Sequence, residues 1–182
     1  MRAGRMRSTN VKTTAYALLL LMVGLAAGGR AQANDRANAR LAARALVEKM
    51  TADRSDAVDE IYSPGFVVHG STGDFSLKED DESATAWRAA LPDLSVKVER
   101  TVSNGDLVAV HWTMSGTNSG TDSGMPGKGV KVSLQGMSMF RFSKGHIVEE
   151  WTLVDIAALM TQLGSVRPLC TAGTIAAAPP GS

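Results

Sequence analysis

The segment 137–155 limits the choice of fold more than any other part of the sequence. It contains two stretches of alternating apolar and polar residues, 137–142 and 147–154, joined by a Ser-Lys-Gly turn at residues 143–145. This pattern predicts a β-hairpin, because the alternation matches the two-residue period of a strand and glycine suits a tight turn. In the second strand the alternation places Val148, Glu150, Thr152 and Val154 on one face and Ile147, Glu149, Trp151 and Leu153 on the other.

Glu149 and Glu150 therefore put one carboxylate on each face of the predicted strand. If both faces of the sheet are largely covered, at least one of these carboxylates points into a partly apolar environment. Desolvation favours the neutral form of such a group, which suits it to acid/base chemistry. The alternative is a solvated strand with an ordinary surface carboxylate, since most glutamates in folded proteins stay in water.

Residues 1–33 show the order of features found in secretory signal peptides. Basic residues precede an apolar run at residues 15–27, and Ala31-Gln32-Ala33 forms a small-x-small cleavage site. We therefore expect cleavage after Ala33 and a secreted or periplasmic protein. The apolar run is too short for a comfortable bilayer span, so no stable membrane anchor is expected; a retained anchor is the alternative.

Charge and cysteine content exclude several classes of protein. Cleavage after Ala33 would remove five of the 19 basic residues and none of the 18 acidic residues, leaving a net charge of about −4. A nucleic-acid-binding protein would normally need a basic face, so no nucleic acid partner is expected. Cys170 is the only cysteine, which excludes an intramolecular disulfide. No His or Cys pair has metal-ligand spacing, and no metal is expected.

The remaining chain is predicted to form one domain, residues 34–164, followed by a disordered tail rich in Ala, Pro and Gly at 165–182. Apolar spacing and capping residues predict helices at 38–50, 55–62, 83–91 and 156–163. Alternation predicts strands at 66–69, 94–102, 107–116, 130–142 and 146–154, with a loop at 70–74 and a flexible connection at 116–129. Helices followed by a meander of strands indicate an α+β fold.

One stretch resembles the last strand of the SnoaL-like polyketide cyclases, often labelled ester cyclases: Lys-Gly-His at 144–146, Ile-Val-Glu-Glu-Trp at 147–151 and Val-Asp at 154–155. Residues 61–70, 90–94 and 107–117 resemble the first strand, the helix-to-strand corner and the central strand of that family. The resemblance covers residues 38–164. It implies a cone-like α+β fold, in which a curved, mostly antiparallel sheet wraps around N-terminal helices and encloses a pocket.

The resemblance also implies a chemistry and its residues. In SnoaL-like cyclases an acidic residue on the last strand is the general acid/base of an intramolecular aldol closure, without metal or organic cofactor. That position is Thr152 here, and a threonine hydroxyl stays protonated near neutral pH. The polar partner positions hold Gly136 and Ser138 instead of the expected Gln and His. Glu150, on the same face as Thr152, is therefore the candidate acid or base.

His69 is the second candidate catalytic residue, because related sequences often carry histidine at this position. It could hydrogen-bond a ligand carbonyl or exchange a proton near neutral pH. The alternative is a strand-end histidine whose ring is satisfied by the backbone. Further side chains are predicted to line the pocket, although residues at such spacings are more often plain core: Thr152, Ser138, Trp112, Phe140, Trp87, Tyr62 and Phe66.

These features predict an exported protein that holds a hydrophobic small molecule in the cone cavity. Cofactor-independent acid/base catalysis, such as cyclisation, isomerisation or hydrolysis, is one hypothesis; a non-catalytic binding module is the other. A homodimer is expected through the outer face of the sheet. Trp and Met at alternating positions leave apolar side chains on the outer face once the inner face covers the helices, and such a patch is usually buried by a partner. The resemblance implies the same, since family members are often dimers.

Overall fold

A computed structural model describes residues 32–52, 60–120 and 127–166. Within these ranges the helices are α1 (residues 32–51), α2 (Leu77–Ala90) and α3 (Ile156–Gln162). The strands are β1 (Tyr62–Gly70), β2 (Gly73–Ser76), β3 (Ser95–Asn104), β4 (Leu107–Asn118), β5 (Val130–Ser143) and β6 (His146–Val154).

The six strands form one sheet in the order β2-β1-β6-β5-β4-β3. All neighbouring strands are antiparallel except β1 and β6, which run parallel. The predicted α+β class is confirmed, with a curved, mostly antiparallel sheet in a cone-like fold. The parallel pair is what brings the first strand beside the last one.

The core lies between the inner face of the sheet and helices α1 and α2. Apolar residues of α1 recur at three- and four-residue steps, as an amphipathic helix requires, and Ala42, Ala45 and Leu46 are buried. The sheet contributes the alternate residues of its long strands, among them Val110 and Phe140, which are fully buried. Helix α3 adds Leu159 to the same cluster.

The beginning of the sheet differs from the prediction. Tyr62, expected to end a helix, is the first residue of β1. Of that predicted helix, residues 53–59 lie outside the described ranges, and residues 60 and 61 are helical. The predicted loop at 70–74 is a turn at residues 71–72 followed by β2, which pairs with β1. Four residues are too few to show alternation, so the sequence did not reveal this strand.

Helix α2 begins six residues earlier than predicted. Ser76 is its N-cap, and it forms a reciprocal capping box with Glu79. The charge run at 78–82 therefore lies inside the helix, where acidic residues of the first turn are stabilised by the helix dipole.

The hairpin of β5 and β6 is confirmed, but one of its face assignments is wrong. Lys144 and Gly145 both have positive φ, as a tight two-residue hairpin turn requires. The register shifts between Arg141 and Phe142, so Glu149 lies opposite Arg141 while Ile147 lies opposite Phe142. Ile147 is fully buried in the core, on the other face from Glu149. Simple alternation fails here because a bulge adds one residue to a strand.

The predicted signal peptide, apart from residues 32 and 33, lies outside the described ranges, as do residues 121–126 and the predicted tail after residue 166. No helix in the described part of the chain is long and apolar enough to cross a membrane.

Candidate functional site

A buried lysine joins three separate elements on the inner side of the sheet. The Lys49 ammonium on α1 donates a hydrogen bond of 2.6 Å to Asp80 Oδ2 on α2 and one of 3.0 Å to Glu150 Oε2 on β6. The side chains of Lys49 and Glu150 are only 4% and 2% exposed, whereas that of Asp80 is 16% exposed. The predicted Glu150 therefore points inward, and its charge has a partner.

Lys49 and Asp80 are not among the predicted site residues, although each leaves a signal in the helix pattern. Lys49 follows Leu46 by three residues and so falls on the buried stripe of α1. Asp80 lies three residues after Leu77 and four before Ala84, on the core-facing side of α2. A charged residue at a core-facing helical position needs a partner of opposite charge. Here Lys49 and Asp80 are partners of each other.

The charges around Lys49 determine its protonation. Burial alone lowers the pKa of a lysine, but the neighbouring carboxylates of Glu150 and Asp80 outweigh this effect and raise the pKa of Lys49 well above its ordinary value. Lys49 is thus a firmly protonated ammonium and cannot act as a nucleophile. Its Nζ atom lies 5.7 Å from the centre of the Tyr62 ring, and burial raises the pKa of Tyr62 as well.

A small cavity of about 90 Å³ lies against this cluster. Its walls are mainly apolar and include Trp87 from α2 and Trp112 from β4. The polar lining residues are Lys49, Asp80, Ser83, Glu150 and Thr152. An apolar pocket with a few convergent polar groups is the usual form of a small-molecule site.

A chain of hydrogen bonds leads from the core to the cavity wall. Trp112 Nε1 donates to Ser138 Oγ over 3.2 Å, and Ser138 Oγ lies 3.0 Å from Thr152 Oγ1. Ser138 is completely buried, one hydrogen bond behind the lining residue Thr152. Of the other predicted pocket residues, Tyr62, Phe66 and Phe140 are buried in the surrounding core rather than in the cavity wall.

His69 lies on the opposite face of the sheet from Glu150. In the β1–β6 register Val68 lies opposite Glu150, while the next residue, His69, lies opposite Trp151 and stacks on its ring at 4.9 Å. His69 Nδ1 is 2.9 Å from Asp74 Oδ1, a hydrogen bond that raises the pKa of the imidazole. The structure therefore does not bring the two predicted catalytic residues together.

A second depression, of about 480 Å³, opens at the turn end of the sheet. It is lined by residues at the start of α1 and at two hairpin turns, including Asn34, Asp106 and Lys144, and by none of the predicted site residues. No group of three or more His, Cys, Asp or Glu residues within 32–52, 60–120 and 127–166 is arranged to hold a metal ion. The Lys49 cluster is the candidate site because it combines buried charge with a cavity.

Comparisons with known proteins agree with the fold. Residues 40–163 match the family model described as SnoaL-like polyketide cyclase. A candidate SnoaL-like polyketide cyclase from Jannaschia sp. CCS1 is 25% identical, with a TM-score of 0.64 over 74% of this chain and 95% of that one. IdmH, a candidate polyketide cyclase from Streptomyces antibioticus, is 28% identical, with a TM-score of 0.57 over 66% and 94%.

A third solved structure carries a different functional description. AclR, a candidate hydroxylase from Streptomyces galilaeus, is 25% identical, with a TM-score of 0.61 over 72% of this chain and 85% of that one. None of the curated proteins matches the chain.

Replacing Lys49 by methionine should destabilise the protein strongly, because it leaves the buried Glu150 without its counter-charge. We expect Lys49→Met to lower the free energy of unfolding at neutral pH by about 3–5 kcal/mol, measured by urea denaturation. Adding Glu150→Gln to Lys49→Met should restore part of that loss, since no buried carboxylate then remains unpaired. Arg44→Met, on the same helix but in an exposed ion pair with Glu48, is the control and should change little.

Proposed function

Because the chain belongs to the SnoaL-like polyketide cyclase family, we propose that it is a cofactor-independent enzyme acting on a small apolar carbonyl compound. In this proposal Glu150 removes a proton from the carbon next to the carbonyl group, the first step of aldol-type cyclisations and of many isomerisations. The observation that carries the proposal is the buried Glu150 carboxylate at the wall of a mainly apolar cavity, beside an ammonium group.

The proposed step moves one proton and one electron pair. The proton moves from the substrate carbon to a carboxylate oxygen of Glu150, and the electron pair moves to the carbonyl oxygen. Before the transfer, the hydrogen bond from the Lys49 ammonium to Oε2 orients the Glu150 side chain.

In this proposal Thr152 stabilises the developing oxyanion. An indole N–H can only donate, so Ser138 Oγ accepts from Trp112, while either hydroxyl can donate between Ser138 and Thr152. The proposed arrangement is the one in which Ser138 donates to Thr152 Oγ1. The Thr152 hydroxyl proton is then available to a substrate oxygen in the cavity. A prearranged donor at the site of growing negative charge lowers the barrier of such reactions.

A non-catalytic binding module is the second candidate function. Two observations favour it: the family's acid position holds Thr152, and one carboxylate oxygen of Glu150 is already bound by Lys49. In this case the cluster would only fix the shape and polarity of a binding cavity.

We further propose that the protein is exported after cleavage behind Ala33. The order of charged, apolar and small residues in the N-terminal segment supports this. Gln32 and Ala33 are exposed, and the buried stripe of α1 begins only near Ala42, so cleavage would leave the core intact.

A homodimer through the outer face of the sheet is also proposed. Val102, Ala109, Met139 and Trp151 lie side by side in consecutive register positions across β3, β4, β5 and β6. Next to this row, Met137 and Leu153 face each other on β5 and β6, and they are 54% and 68% exposed. A continuous apolar surface of this kind is usually covered by a partner, and a second copy offers the same surface.

Glu150→Gln should abolish proton abstraction while preserving the shape of the side chain. In D₂O, the wild-type protein should accelerate exchange of the methyl protons of acetophenone, followed by ¹H NMR, and Glu150→Gln should slow it by about a hundredfold or more. Glu149→Gln is the matched control, since Glu149 lies on the outer face beside Arg141. Acetophenone binding without exchange by wild type, or equal loss in both variants, would favour the binding module.

A charge placed on the outer face should split the dimer. We expect light scattering to give a dimer mass for wild type at micromolar concentration and a monomer mass for Leu153→Lys, because a buried lysine without a partner is costly. Met160→Lys, an exposed apolar position on α3, should remain dimeric. A wild-type monomer at that concentration would refute the proposal.

The exported protein should begin at Asn34. N-terminal sequencing of the secreted or periplasmic fraction checks this directly. A mature chain that still carries residues 15–27 would show that the apolar run is retained.

A further inference from the structure

The cavity beside Glu150 is small for a family named after polyketide cyclases. Its volume of about 90 Å³ is well below the roughly 300–1,000 Å³ of pockets that hold drug-sized ligands. For comparison, an engineered apolar cavity of about 150 Å³ holds a single benzene ring. The space beside Glu150 is therefore no larger than one small ring or a short chain, and a fused polycycle would collide with the walls.

Trp112 forms part of the wall of this cavity on the sheet side. Its indole lies directly over Gly136 on the neighbouring strand, where a Cβ atom would be only 2.2 Å from the ring. Any side chain at position 136 would have to displace the indole, so glycine at this position is what allows the ring to lie flat across β5.

The indole is also fixed in orientation. Its Nε1 atom is tied to the buried Ser138, and only 4% of the residue is exposed. A residue held by a buried hydrogen bond and packed against backbone cannot easily swing away to admit a larger ligand. On the helix side Trp87 lines the same cavity, so two indoles bound the space in front of Glu150.

We propose that Trp112 is a specificity-determining residue that restricts the ligand to a molecule of about one ring. This inference rests on the proposed function because it concerns the same cavity. The size limit itself requires only the shape of the cavity and no catalytic step. The substrate class is then a small aryl or alkyl carbonyl compound and not a polycyclic polyketide.

The experiment separates the size limit from the chemistry by using hydrocarbons, which engage no polar group. Calorimetry with toluene and 2-methylnaphthalene should show that the wild-type protein binds toluene at least tenfold more tightly. Trp112→Leu should reverse this order, because a larger apolar ligand binds more tightly wherever it fits. Trp112→Phe removes less volume and is the second variant should the leucine variant fail to fold. It should reduce the ratio of the affinity for toluene to that for 2-methylnaphthalene.

Trp151→Leu is the matched control, since it removes an indole from the outer face and should leave the ratio unchanged. Binding of 2-methylnaphthalene to wild type as tightly as toluene, no toluene binding, or an unchanged ratio in the Trp112 variants would overturn the size limit. Selective toluene binding without exchange of acetophenone protons would instead overturn the proposed catalysis and leave the size limit standing.

Discussion

The ammonium of Lys49, buried between Asp80 and Glu150, is the interaction on which the rest of the site depends. Buried ion pairs rarely add net stability, because desolvation of the charges offsets their attraction, but losing one partner is costly. The three residues come from α1, α2 and β6. Both hydrogen bonds of the Lys49 ammonium can therefore form only when the two helices are correctly positioned on the sheet. The cluster thus specifies how the helices close over the cavity more than it stabilises the fold.

Local pattern and family resemblance together predicted much of the fold. The hairpin of β5 and β6 and the α+β class follow from alternation and element order. Alternation left open which of Glu149 and Glu150 points inward, and the family resemblance singled out Glu150. The Lys49 cluster could not be predicted in this way, because its bonds join residues 31 and 101 positions apart. Periodicity shows that Lys49 faces the core, but the partner it meets there depends on tertiary packing. The bulge that buries Ile147 was hidden for a similar reason, since it arises from pairing with β5.

The register of β1 and β6 determines on which face of the sheet Glu149, Glu150 and His69 lie, and a shift of one residue would exchange the faces. Val68 and Glu150 share the inner face, whereas His69, Glu149 and Trp151 share the outer one. The sheet therefore separates two polar clusters. The Lys49 cluster and its cavity lie on the inner face, and the partly exposed cluster of His69, Glu149 and Trp151 lies on the outer face. The hydrogen bond that His69 Nδ1 donates to Asp74 raises the pKa of the imidazole, so the interaction stabilises the outer cluster most below the ordinary histidine pKa and less as the pH rises above it.

Gly136, Ser138 and Thr152, where the resemblance implies other residues, are physically connected through Trp112. The absence of a side chain at position 136 leaves room for the Trp112 indole, whose N–H needs an acceptor in the core. Ser138 supplies that acceptor and is also hydrogen-bonded to Thr152. A carboxylate at position 152 would lie about 7 Å along the strand from Glu150, close to a cluster that already holds two carboxylates against one ammonium. A neutral hydroxyl at 152 avoids that repulsion, and in the proposed enzyme the carboxylate that Lys49 holds carries the acid/base role.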